Sequence, residues 1–194
     1  ILSYSLGHID AIVSKEQGMK KWRFTGFYGH PETRKKGESW TLLENLSGRS
    51  NLLVCMGDFN EIMHAKEKVG GEVRPEGQMR CFHEMINRCS LRDLGYVGLH
   101  YTWSRHLGRR GWVRERLDRA LVSTDWAVVF PLVKLHHLSN SVSDHNILVL
   151  KETSLPRQQR QQPRLFRFKS MWLVDERCNN VVEEAWKRGG TGHA

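Results

Sequence analysis

A chain of 194 residues carrying 30 Lys and Arg against 21 Asp and Glu has a formal charge of +9. Its pI is near 9.7, an excess that favours a polyanionic partner, nucleic acid first and an anionic membrane surface second, over a merely soluble basic protein. No apolar run approaches the ~20 residues of a membrane-spanning helix, no secretory leader is expected, and the four cysteines form no Cys-x-x-Cys pair, which argues against zinc.

The length suits one domain with a tail, or part of a larger domain. A mean hydropathy of -0.53 is polar for a globular protein, yet seven Trp and seven Phe are enough to build a core. Residues 8–13 read as a first strand. Trp22 to Tyr28 alternates aromatic with small or polar side chains and reads as a second. Glu38 to Leu46 places Trp40, Leu42, Leu43 and Leu46 at helical spacing, and residues 52–56 form a buried strand. Strand, helix and strand in so short a span predict an α/β fold. Residues 61–75, charged and rich in glycine, read as an exposed loop that includes Lys66, Glu67, Lys68 and Arg74.

Pro75-Glu76 opens a helix with Met79, Phe82, Met85 and Ile86 on its apolar face, ending near Cys89. Tyr101 to Ser104 is a short strand, residues 105–112 a basic hairpin tip, and Val113 to Leu117 a strand that ends at Asp118. Thr124 or Asp125 caps a turn or helix. Val133 to Leu138 is a strand, and His145 to Leu150 is the last core strand. Cys55, Cys81 and Cys89 fall within these apolar patterns and read as reduced core thiols, which fits a nuclear or cytoplasmic protein better than a secreted one. The domain is therefore expected over 1–152, a Gln-, Arg- and Pro-rich linker over 153–167, and a short helical tail over 168–194. Ile1 opens close to a strand and the last residues are Gly-rich, so both ends are expected to be cuts in a longer reading frame.

Two polar clusters sit at strand ends. Gly57-Asp58-Phe59-Asn60 follows one apolar run, and Ser143-Asp144-His145 precedes another. Asp-x-Asn alone is common in turns, but together the clusters offer what metal-assisted phosphodiester cleavage needs: oxygen ligands for a hard divalent ion, a residue to activate water, and a group to meet charge on a pentavalent transition state. Asp58 is placed to orient or deprotonate water, Asn60 to hold water or phosphate, and Asp144 to lie at or near the metal. His145, oriented by a carboxylate, becomes a cation or an acid, and Asp118 is the best orienter. Tyr28 offers a hydroxyl to phosphate or packs at the rim. Thr102 and Trp103 offer contacts to phosphate and to a sugar or base, with core packing the plainer role for Trp103. Arg105, Arg109, Arg110, Arg114 and Arg116, interleaved with Trp103 and Trp112, suit a nucleic-acid rim or a solvated hairpin. His136 and His137 adjoin in a strand, so they face opposite ways.

These motifs lie in Phe27-Tyr28-Gly29, Gly57-Asp58-Phe59-Asn60, Tyr101-Thr102-Trp103-Ser104, Arg116-Leu117-Asp118-Arg119 and Ser143-Asp144-His145. In that order and approximate spacing the chain resembles the endonuclease/exonuclease/phosphatase superfamily. Phe27 through Glu32, Pro75 through Met79 and Arg114 through Ala120 resemble more closely the apurinic-type endonuclease domain of plant LINE-type (non-LTR) retrotransposons. The tail from Phe166 to Trp186 is similar to the stretch joining that domain to a reverse transcriptase.

The resemblance implies a two-sheet, four-layer α/β sandwich of DNase I-like type and Mg²⁺- (or Mn²⁺-) dependent nicking of DNA, a nuclease acting as hydrolase and phosphodiesterase. No membrane and no obligate protein partner are expected. By motif, Tyr28 contacts phosphate, Asp58 activates water, Asn60 positions it, Asp118 orients His145, Asp144 lies by the metal, and His145 stabilises the transition state. The family also carries an N-terminal Asn strand and a metal-binding Glu, which find no counterpart here; Glu16, in a hairpin-like turn, fits poorly. The resemblance thus implies a domain incomplete at its N-terminus, short in one sheet, and weak or inactive. The alternatives are an inactive nucleic-acid-binding remnant and a phosphatase of the same superfamily.

Overall fold

The computed structural model describes residues 1–14, 20–108, 111–153 and 177–188. In chain order the elements are β1 (Ser3–Ser5), β2 (His8–Val13), β3 (Trp22–Tyr28), α1 (Lys36–Ser47), β4 (Leu53–Asp58), β5 (Lys68–Val69), α2 (Glu76–Arg88), β6 (Leu91–Asp93), β7 (Val97–Gly98), β8 (Trp103–His106), β9 (Trp112–Glu115), β10 (Asp118–Ser123), α3 (Thr124–Val129), β11 (Val133–Leu138), β12 (Ile147–Glu152) and α4 (Arg177–Arg188).

The chain is an α/β sandwich built on a six-stranded sheet of order β1-β2-β3-β4-β10-β6. β4 explains why this sheet is covered on both sides. Its apolar run has no polar face to give to water, as expected of a central strand. Leu53 and Cys55 face the helices, joining Trp40 and Leu43 of α1 and Phe82, Met85 and Ile86 of α2 in one core. Val54 faces the other way, into a second core with Val122 and Trp126, against which Val133 of β11 and Leu150 of β12 pack. The first core is aromatic at its centre: Phe82 stacks on Trp40 at 5.0 Å and meets Phe59 at 5.6 Å, and Phe59 meets Phe27 at 5.0 Å. Two three-stranded sheets, β12-β11-β7 and β5-β9-β8, complete the architecture, with β12 at the edge of the first.

Several local expectations change. The charged segment 61–75 is not uniformly exposed: it contains a 3-10 turn at Ala65–Glu67 and strand β5, paired with β9. Within it Glu67 is buried, because Arg116 and Arg119 reach it from far along the chain. Asp118 begins β10 rather than ending the preceding strand, and the N-cap of α3 is Ser123, whose side chain accepts from the Trp126 N–H. Cys55 and Cys89 are buried free thiols, but Cys81 is exposed on α2, so it is not a core thiol.

The chain divides into two units, Ile1–Leu155 and Pro156–Ala194. In the second, α4 carries Val181, Val182 and Trp186 exposed and a Lys187–Glu183 pair one turn apart. The expected linker from residue 154 on and the start of the tail, through residue 176, lie outside the described residues, as does Glu16. Among the described residues no helix is long and apolar enough to cross a membrane.

Candidate active site

Three adjacent strands end together. β3 and β4 are parallel with Tyr28 opposite Asp58, and β10 runs antiparallel to β4 with Asp118 opposite Asp58. Sheet register thus sets Tyr28, Asp58 and Asp118 in a row at one end of the large sheet. Two glycines permit the close approach. A Cβ on Gly57, at φ +150°, would lie 2.1 Å from the Phe27 carbonyl oxygen, and one on Gly29 would lie 2.4 Å from that of Phe59. Past the end of β4 the chain turns back on itself: the Asn60 N–H donates to Asp58 Oδ1 (2.7 Å), and its Nδ2 donates to Asp58 Oδ2 (3.0 Å) and to the Gly29 carbonyl (2.8 Å). The turn holds Asn60 at φ +52°, a left-handed conformation that asparagine tolerates better than most residues.

His145 reaches this row from another part of the chain. It forms a bridge with Trp103, and Asn146 is tied to Thr102 and Tyr101 through the latter residues' carbonyl groups. Thr102 is fully buried, and its hydroxyl accepts from the Leu117 N–H (3.0 Å) and the Asp118 N–H (2.9 Å). It therefore seats Asp118, and in this structure it is buried rather than exposed with the basic rim. The His145 Nδ1 donates to Asp118 Oδ2 at 2.9 Å, while Nε2 faces Asp58 Oδ2 at 3.9 Å. The second distance is too long for a direct hydrogen bond. Asp58, Asn60, Asp118 and His145 share one locality. Tyr28, half-exposed, stands beside them.

The electrostatics of this group are unbalanced. Burial, and then the neighbouring Asp118 carboxylate, push Asp58 up from its ordinary 3.8 to about 6, against the opposing pull of the Asn60 N–H, His145 and Lys36. The hydrogen bond to Asp118 raises His145 above its ordinary 6.5 in spite of partial burial. A carboxylate raised to about 6 and an imidazolium stabilised by its carboxylate partner are suited to proton transfer and to anion stabilisation.

Metal-binding capacity is thinner. Asp144 is exposed, and its Oδ2 takes the Trp103 Nε1–H at 2.9 Å. Among the described residues no three acidic, histidine or cysteine groups come together as a metal site. These residues alone do not make a closed site for a divalent ion.

The nucleic-acid candidates divide. Trp103 is partly exposed beside Asp144, and Arg105 and Arg114 are exposed on the β8–β9 hairpin. Arg114 lies over Trp112, 5.7 Å from its ring centre. Arg116, by contrast, is buried between Glu67 and Asp93 and leaves the basic rim. Arg109 and Arg110 lie outside the described residues. His137 is buried and stacked on Tyr96 at 4.6 Å.

Sequence reasoning missed a buried lysine. Lys36 donates from Nζ to the Asn60 carbonyl (2.7 Å) and to Glu61 Oε2 (2.5 Å). A signal was present: Lys36 occupies the same helical stripe as Trp40 and Leu43, at spacings of i+4 and i+7.

A search of curated proteins returns no match. Among solved structures, the endonuclease domain of TRAS1, a telomere-specific non-LTR retrotransposon, superposes with a TM-score of 0.54 at 16% identity, covering 74% of this chain and 63% of that one. A 3′ phosphatase, NExo, from Neisseria, bound to a product DNA hairpin, superposes with a TM-score of 0.54 at 19% identity, covering 76% and 65%. At these identities the likeness establishes the fold, and the chain spans under two thirds of each structure's length. The sequence itself is matched over residues 22–145, from β3 through His145, by the model of the Endonuclease/Exonuclease/phosphatase family. That span holds Tyr28, Asp58, Asn60, Asp118 and His145 together, and the chain belongs to that family.

Proposed function

We propose that this chain is the phosphodiesterase module of a DNA endonuclease of the non-LTR retrotransposon type. The observation that carries the reading is the row Tyr28–Asp58–Asp118 at the sheet end, with His145 held on Asp118 at 2.9 Å. In this reading Asp58 takes the proton of the attacking water and Asn60 holds that water or a phosphate oxygen. Tyr28 donates its hydroxyl to the phosphate. Asp118 fixes the imidazole and keeps it charged, and the His145 cation meets the negative charge that grows on the pentavalent phosphorus. Trp103, Arg105 and Arg114 grip the strand beside the scissile bond, where charge holds phosphate and the indole stacks. Arg109 and Arg110, outside the described residues, are further candidates by their charge and sequence position alone.

Mg²⁺ or Mn²⁺ is the ion this family chemistry implies, and Asp144 is the carboxylate of this chain that would help to hold it. With no three-donor group among the described residues, turnover by the chain alone is weak. The same observation favours a second reading, a nucleic-acid-binding domain without turnover. A nicking assay on supercoiled plasmid, with Mg²⁺ and with EDTA, separates the two. Metal-dependent nicking that disappears in Asp58→Ala supports the endonuclease; DNA binding without any nicking supports the second reading. Hydrolysis of a soluble phosphomonoester with no action on DNA would contradict both and point to a phosphatase.

A further inference from the structure

We propose that Lys36 is a positioning residue for the Asp58–Asn60 turn, acting on the proposed site from beneath; the inference rests on the phosphodiesterase reading only for its kinetic consequence. The first observation is where Lys36 sits. It is the first residue of α1, where the helix dipole disfavours a cation, and it is 5% exposed, where an ammonium loses its hydration. Helix formation and solvation both oppose a lysine here.

The second observation is what it touches. Glu61 is fully buried and has other partners: its Oε1 accepts from the Ile62 N–H at 3.0 Å and lies 3.3 Å from the Arg74 Nε. Lys36 is therefore not the sole counter-charge of Glu61. Its distinctive contact is the 2.7 Å hydrogen bond to the carbonyl of Asn60.

The third observation is the state of that residue. Asn60 is held at φ +52°, away from the regions that L-residues prefer. Rotation of the peptide plane between Asn60 and Glu61 changes ψ of Asn60 and φ of Glu61, and a buried ammonium on the carbonyl opposes that rotation, so the turn is pinned on the side opposite its N–H. With the plane fixed, the Asn60 N–H and Nδ2 stay on the two oxygens of Asp58 and on the Gly29 carbonyl. Lys36 thus sets the direction in which the Asp58 carboxylate and the Asn60 amide present themselves. Buried below the turn, it does not reach a substrate.

The test pairs a structural readout with a kinetic one, on the full chain. Amide NMR spectra and hydrogen exchange are recorded for wild type, Lys36→Met and Lys36→Arg, with the Leu121 and Leu135 amides as core controls. The expected result is displaced Asn60 backbone and side-chain amide signals with faster exchange at Asn60, and unchanged protection at the controls. In the nicking assay kcat falls about 10- to 100-fold with KM for DNA nearly constant, the pattern of misplaced reacting groups rather than lost binding. Should Lys36→Met fail to fold, Lys36→Arg decides: it keeps the charge opposite Glu61 but cannot place a donor on the Asn60 carbonyl without moving it. Wild-type Asn60 signals and exchange in a folded variant would overturn the proposal. If the wild type does not cleave DNA, the endonuclease reading fails while the NMR comparison still judges Lys36.

Discussion

Two clusters of carboxylates lie within one domain and differ in how their charge is met. Beneath the site, Glu67 and Asp93 are embraced by Arg116 and Arg119, with contacts of 2.8–3.0 Å. Burial pushes Glu67 up, but Arg119, the Met63 N–H and Arg116 outweigh it and hold that carboxyl at about 2. At the sheet end, Asp58 and Asp118 face each other with one imidazole between them, and Asp58 rises to about 6. Burial acts in the same direction in both places; the supply of cations decides the outcome. The first cluster stabilises the fold, and the second holds acidity at a level useful to chemistry.

The largest effect should come from breaking the matched cluster. Arg119 is fully buried and donates to Glu67, Asp93 and two carbonyl groups. Arg119→Met leaves buried carboxylates short of a partner and should cost about 3–5 kcal/mol in denaturant unfolding; a loss under ~1 kcal/mol would place that network among those of little net worth. Breaking the unmatched cluster should spare stability and remove chemistry. Asp118→Ala frees the imidazole and should lower nicking about 100-fold or more with a small change in melting temperature.

The pH dependence of stability sharpens the contrast, because the signs are opposite. The folded pKa of Asp58 is raised, so its contribution is fully present below pH 3.8 and is lost as pH rises through about 6. At pH 8 the ionised group opposes folding by about 3 kcal/mol. Asp58→Asn, which cannot ionise, should raise the melting temperature at pH 8, with the gain fading by pH 4. Glu67 is the reverse: its pKa is depressed, so its contribution is present above pH 4.5 and is lost as pH falls toward 2. Nicking should follow a bell-shaped profile, rising as Asp58 ionises near pH 6 and falling as His145, raised above its ordinary 6.5, loses its proton. The smallest expected effect lies at the exposed rim. Arg105→Ala and Arg114→Ala should each weaken DNA binding modestly and reduce the salt slope by about 1 per lost phosphate contact.

The parts of this arrangement readable in the sequence are those set by local pattern. The apolar run of β4 and the polar residues at its end share one stretch of chain, and alternation in Trp22–Tyr28 marks which side chains of β3 face the helices. Residues 113–117, with apolar Val113 and Leu117 at either end of three charged residues, read as one strand ending at Asp118; the break at Arg116 and Leu117 arises from tertiary contacts, with the Arg116 N–H donating to the Glu67 carbonyl and the Leu117 carbonyl accepting from the Phe59 N–H. Glu67 reads as exposed in sequence because glycines and charges surround it, while the arginines that bury it lie 49 and 52 residues downstream. The Thr102 hydroxyl reads as a phosphate contact in sequence because hydroxyls often are; its burial depends on the Leu117 and Asp118 N–H groups, 15 and 16 residues downstream. Long-range charge pairing leaves no periodic trace in a chain.

Side-chain NMR titration of Asp58 and His145, in wild type and in Asp118→Asn, tests the unmatched cluster most directly and needs no turnover. Asp58 should titrate near 6, His145 above its ordinary 6.5, and the neutral amide at position 118 should lower both midpoints together. An Asp58 midpoint near 3.8, with His145 indifferent to the change at Asp118, would contradict a shared site.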